Sequence, residues 1–132
     1  MAVEENKEIV RRWVTARNTN DLDLALSVWD ESKHDHVQAG FNAMTNAFSD
    51  IHIAIEELFG EGDLVALSAT FHAIHSGTYQ NIPPTQKQIT IATNDIYTIE
   101  QGKIKSLKRR SDDVGLLKQM GVTISWQGTV IT

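Results

Sequence analysis

Along the first third of the chain, apolar residues recur every three or four positions. Ile9, Val10, Trp13 and Val14 carry that period, which predicts an amphipathic helix over roughly Val3 to Arg17. Asn18 to Asp21 interrupt it, and Asp21 has the carboxylate to cap a second helix through Leu22, Leu24, Ala25, Leu26, Val28 and Trp29. A short loop holding His34-Asp35-His36 comes next, and Ala39 to Phe48 read as a third, short helix ended by Ser49-Asp50. From Ile51 the period changes to two. Ile51, Ile53 and Ile55 share one side of a strand that runs to Gly60-Glu61-Gly62-Asp63, a hairpin turn. Leu64 to Ser76 then sets Val65, Leu67, Ala69 and Phe71 on one face and Ala66, Ser68, Thr70 and His72 on the other. Pro83-Pro84 mark Asn81 to Gln86 as a connection without strand. Ile89, Ile91, Thr93, Asp95, Tyr97 and Ile99 alternate with Thr90, Ala92, Asn94, Ile96 and Thr98, and Glu100-Gln101-Gly102 turns into a last long strand. Consecutive strands on short turns pair antiparallel, so the pattern predicts an α+β fold with helices packed on one face of a curled antiparallel sheet.

Composition narrows this. A chain of 132 residues predicts one domain over 1–132, large enough to bury about two-thirds of its unfolded surface. An apolar fraction of 41% is that of an ordinary globular protein. There is no apolar run near the roughly 20 residues of a membrane span, and the start MAVEENKEIV is charged and amphipathic rather than a signal peptide. The absence of cysteine removes disulfides, thiol nucleophiles and thiolate metal sites, and fits a cytoplasmic location. A formal net charge of −5 argues against a nucleic-acid partner.

The segment Gly102 to Gly121 holds the candidate chemistry. Lys108, Arg109, Arg110, Ser111, Asp112 and Asp113 follow one another without an apolar residue before Val114, Leu116 and Leu117 resume the core. Strand alternation puts Lys108, Arg110 and Asp112 on one side. If that side lines a cavity, Asp112 is placed as an acid/base carboxylate beside a guanidinium. If it faces water, Asp112 pairs with Arg110 or caps the turn into Val114-Leu117.

Several of these features occur together in a known family. The two N-terminal helices come first, then His75-Ser76-Gly77 and Ile82-Pro83-Pro84-Thr85. Asp95-Ile96-Tyr97, Gly102-Lys103-Ile104, Asp112 and Gly115-Leu116-Leu117-Lys118-Gln119-Met120-Gly121 complete the order. Over roughly residues 4 to 122 the chain resembles the SnoaL-like polyketide cyclase (ester cyclase) family. The resemblance implies a cone-shaped α+β barrel of the cystatin-like superfamily, with the N-terminal helices on the concave face of the sheet and a pocket between. It also implies a homodimer and a cofactor-free aldol condensation in which the residue matching Asp112 serves as acid/base. A carboxylate with a raised pKa in a dry pocket suits that work, and Arg110 on the same face can stabilise the enolate.

The resemblance has departures. Leu107-Lys108 stand where the family commonly has an aromatic pair, and the stretch from His36 to Phe41 is short. Gain of Lys108 and Arg110 then favours a smaller or anionic ligand, within the wider class of small hydrophobic or carbonyl-containing compounds. Trp13, Phe71, His36 and Lys108 are the expected ligand contacts. Asn94 is expected with them, although whichever of Asn94 and Asp95 faces inward is the pocket residue, and a single bulge reverses that parity. His34 and His36 are expected to hold no metal, and His72 and His75 to point to opposite faces. Two other functions stay open: a non-catalytic binding or dimerisation module, and an epoxide hydrolase or isomerase of the same superfamily. Leu64 to Phe71 holds neither the arginine nor the aspartate that the hydrolase needs.

Overall fold

In the computed structural model, which describes residues 2–130, α1 (Ala2–Asn18) turns Ile9, Val10, Trp13, Val14 and Ala16 inward. Glu4 and Glu5 lie in its first turn and Arg17 in its last, each at the end of the helix dipole that suits its charge. Asp21 caps α2 (Leu22–Val28) by accepting the Leu24 N–H at 3.0 Å. A short 3-10 turn, Glu31–Lys33, then runs directly into α3 (His34–Ala47). The third helix therefore starts well before Ala39, and His34-Asp35-His36 form its first turn rather than a loop. Polar residues are at home on an exposed helix start, where Asp35 suits the positive dipole end.

Four strands follow: β1 (Phe48–Glu61), β2 (Leu64–His75), β3 (Gln88–Glu100) and β4 (Lys103–Ser111). They form an antiparallel meander in the order β1-β2-β3-β4. Gly62, at φ 59°, supplies the left-handed position of the tight β1–β2 turn. Register shifts in β1 and between β3 and β4 curl the sheet around the helices. The β4 shift sets the site. Thr98 pairs with Ser106 while Ile99 pairs with Ile104, so Lys105 is an extra residue, and both Ile104 and Leu107 turn toward the core.

The core joins the inward rows of the sheet to α1, α2 and α3. Phe71 belongs to it, fully enclosed and packed edge-on against Phe48 at 5.7 Å between ring centroids. α4 (Asp113–Gln119) closes the sheet end by burying Leu116. Beyond it, β5 (Ser125–Trp126) and β6 (Thr129–Val130) form their own exposed hairpin across Gln127 and Gly128, both at positive φ. Those two strands do not extend the four-stranded sheet; Ile131 and Thr132 lie outside the described residues. No helix among the described residues is long and apolar enough to cross a membrane.

Candidate functional site

Between the three N-terminal helices and β4 lies a cavity of about 400 Å³, within the range of small-molecule sites. Its apolar wall is built by Trp13, Trp29, Val37, Phe41, Met44 and Leu107. Arg17, Lys33, His36, Thr45, Ser106 and Arg109 supply the polar groups; no carboxylate among the described residues lines it. Trp13 and Trp29 meet edge-to-face at 5.6 Å and are each 7% exposed. Neither indole Nε1–H finds a hydrogen-bond acceptor among the described residues.

Behind this wall is a polar cluster that strand register dictates. Asp95 on β3 lies opposite Arg109 on β4, and Tyr97 lies opposite Leu107. Arg109 donates Nε–H to Asp95 Oδ1 and Nη2–H to Oδ2, each at 2.8 Å, and the Tyr97 hydroxyl donates to Oδ2 at 2.8 Å. Asp95 is only 2% exposed, so three donors occupy a carboxylate that water does not reach. Burial alone would lower the Arg109 pKa; the hydrogen bonds and charge of Asp95 outweigh it and raise it. Burial, then the charge of Asp95, pushes the Tyr97 phenol up, so Tyr97 stays a neutral donor. Asp95 is therefore a structural acceptor for Arg109 rather than a free base.

Arg17 is the second guanidinium of the cavity. Its Cζ stands 5.4 Å from the Trp13 ring centroid, a cation–π arrangement. Among the described residues it forms no ion pair. Burial, then repulsion from Arg109, lowers its pKa to about 10, which still leaves it charged at neutral pH.

Of the residues expected from sequence, Trp13 and His36 line this cavity, His36 at its exposed mouth. The others do not come together there. Phe71 is core and is not among the lining residues. Asn94 is exposed on the outer face, and its neighbour Asp95 is the inward residue. Lys108 and Arg110 are exposed on that same outer face, opposite Ile96 and Asn94. Arg110 Nη1 donates to the Arg109 carbonyl at 2.9 Å.

Asp112 lies past the end of β4, exposed, and accepts the Gly115 N–H at 2.9 Å as the N-cap of α4. Its own N–H donates to the Ala92 carbonyl at 3.2 Å. The physical reason is parity: Leu107 points in, so Arg109 does too, and Lys108 and Arg110 point out. His34 is tied to the Trp29 carbonyl through Nε2 at 3.0 Å. Sequence reasoning named Arg109 and Tyr97 only within longer motifs and placed none of Arg17, Arg109 and Tyr97 in the pocket. The pair Ile104 and Leu107, both apolar at a spacing of three, was the available sign of a bulge that turns Arg109 inward.

No protein of curated function matches the sequence. Among solved structures, AclR from Streptomyces galilaeus superposes with a TM-score of 0.82 at 23% identity, over 90% of this chain and 82% of that one. TsrD from Streptomyces laurentii gives 0.84 at 19% identity, over 89% and 96%. A SnoaL-like polyketide cyclase from Agrobacterium tumefaciens gives 0.70 at 16% identity, over 88% and 98%. At these identities the likeness is one of fold. The family model described as SnoaL-like polyketide cyclase, however, matches residues 7–120 of the sequence itself, and the chain belongs to that family.

Proposed function

We propose that this protein is a small-molecule-binding member of the family whose ligand occupies the cavity between α1, α2, α3 and β4. The ligand is a flat apolar compound carrying a carbonyl or related oxygen. One observation carries this reading: among the described residues, every polar side chain on the cavity wall can donate a hydrogen bond, and none is a carboxylate. Such a wall holds an acceptor oxygen at one end of an aromatic slot. It is not furnished for proton abstraction by aspartate, since Asp112 is exposed at a helix cap and Asp95 is engaged by Arg109 and Tyr97.

The test is binding of 2-acetylnaphthalene, an aromatic ketone, followed by tryptophan fluorescence in a Trp126→Phe background that removes the distant, 70% exposed indole. Saturable quenching that survives Asp112→Asn is expected. Quenching that Asp112→Asn removes, or none at all, overturns the reading.

A second reading rests on His36, which lines the cavity and makes no hydrogen bond to the described residues. An imidazole can both accept and donate a proton and is suited to move one at a bound carbonyl compound, with the arginines facing the developing enolate. Deuterium exchange into the acetyl methyl group, lost in His36→Gln and kept in Asp112→Asn, is its signature.

We also propose a homodimer through the outer face of the sheet. Phe59, 62% exposed, Ala66 and Ile96 form one cross-strand row there, beside exposed Leu64. An apolar row of that kind is suited to burial against a second copy.

A further inference from the structure

We infer that the cavity selects an anionic ligand, an aromatic or flat apolar carboxylate whose charged group is received by Arg17. This deepens the proposed binding function and rests on it. The two arginines of the site are not equivalent. Arg109 spends Nε–H and Nη2–H on Asp95, so its charge is answered within the protein. Arg17 stands in the same cavity with an aromatic face beside it and no carboxylate partner among the described residues. Two guanidiniums thus face one buried carboxylate, leaving a positive charge in a wall that is otherwise mainly apolar.

The charge of Asp95 compensates Arg17 in part, but Asp95 is already engaged by Arg109, and burial and Arg109 still weigh against the charged form of Arg17. A half-buried cation without an ion-pair partner among the described residues carries a desolvation cost, and a ligand carboxylate offsets that cost while making charge-assisted bonds.

The indoles shape the rest of the wall. Trp13 and Trp29 are more than nine-tenths buried and both line the cavity, meeting edge-to-face, so a flat ring can pack beside them. Lys33, at the mouth, adds a second positive charge on the approach. The rings select the body of the ligand, and the donors select its charge.

The experiment compares 2-naphthoate with 2-naphthamide, nearly isosteric probes of which only the first is charged at pH 7, by calorimetric titration of the wild type and Arg17→Met. Methionine keeps an apolar stem against Trp13 and removes the charge. Wild type is expected to favour naphthoate by roughly ten- to a hundredfold. In Arg17→Met the preference should vanish, with naphthamide affinity kept, and the ligand-free variant should melt no lower than wild type. Equal binding of both probes to wild type overturns the anion inference and leaves the binding reading standing. Failure of both probes to bind removes the two together. A preference for naphthoate that persists in Arg17→Met shows that another group reads the charge and likewise overturns the assignment.

Discussion

Asp112 and Gly115 work as one device. The carboxylate accepts the Gly115 N–H, and a Cβ at position 115 would run into that carboxylate, so the glycine is what allows the close approach. Asp112→Ala is expected to lower stability by about 1 kcal/mol in a denaturant melt, while Asp112→Asn, another good cap, stays within a few tenths. Neither should change ligand affinity. Gly115→Ala should be less damaging in the Asp112→Ala background than alone, because the group it displaces is already gone. Asp95 is the opposite case. Asp95→Asn leaves the Arg109 guanidinium facing the interior without its counter-charge and is expected to cost about 3 kcal/mol. The sequence carried much of this. The polar run after Leu107 announced charged residues on a strand, and the shared face of Lys108 and Arg110 is observed. What it did not state was which face, because a bulge at Lys105 resets the alternation and β-bulges have no reliable one-residue signature.

At the scale of elements, the cavity depends on how the helices are tied to β4. Asp30, just after α2, accepts from Lys105 Nζ at 2.7 Å, and its N–H donates to the Ile104 carbonyl at 3.0 Å. The bulge residue Lys105 is thus the anchor for the chain that leads into α3. The side-chain hydrogen bond from Lys105, followed by those from Ser32, lowers the Asp30 pKa from 3.8 to about 2. A depressed carboxylate stabilises the fold above its unfolded pKa and loses that contribution as pH falls toward its folded one. Acid unfolding should therefore contain a component between about pH 4 and pH 2 that Asp30→Asn removes, read as the difference between the two melting-temperature profiles. His75-Ser76-Gly77 has an equally local explanation. Gly77 N–H donates to the Ala47 carbonyl at 2.9 Å, and a side chain there would strike the Asn46 carbonyl, so Gly77→Ala should destabilise by about 1–3 kcal/mol. Helix α3 was half legible: Val37, Phe41 and Met44 keep the helical period, but its polar first turn has the composition of a loop.

For the whole molecule, the order of helices and strands was readable because each carries a recognisable period over most of its length, and short turns leave a meander as the simplest topology. The cavity was not, because it is made of groups from distant segments: Arg17 from α1, Trp29 after α2, His36 from α3 and Arg109 from β4. No spacing in the sequence joins them. The proposed dimer belongs to this scale as well. Sedimentation at micromolar concentration should give twice the 14.7 kDa chain mass, with Phe59→Lys returning the protein to a single chain; a wild-type monomer contradicts it. The central claim is that the cavity, and not the end of β4, is the functional site. Its most direct test is a nitrogen–proton correlation spectrum of the wild type titrated with 2-naphthoate. The chain has three indole N–H signals, two from tryptophans that line the cavity and one on the exposed hairpin. Saturable movement of the Trp13 and Trp29 signals, with Trp126 and the Gly115 amide unmoved, is the predicted result. Movement centred on Gly115 and Asp112 while the two cavity indoles stay still would contradict the account.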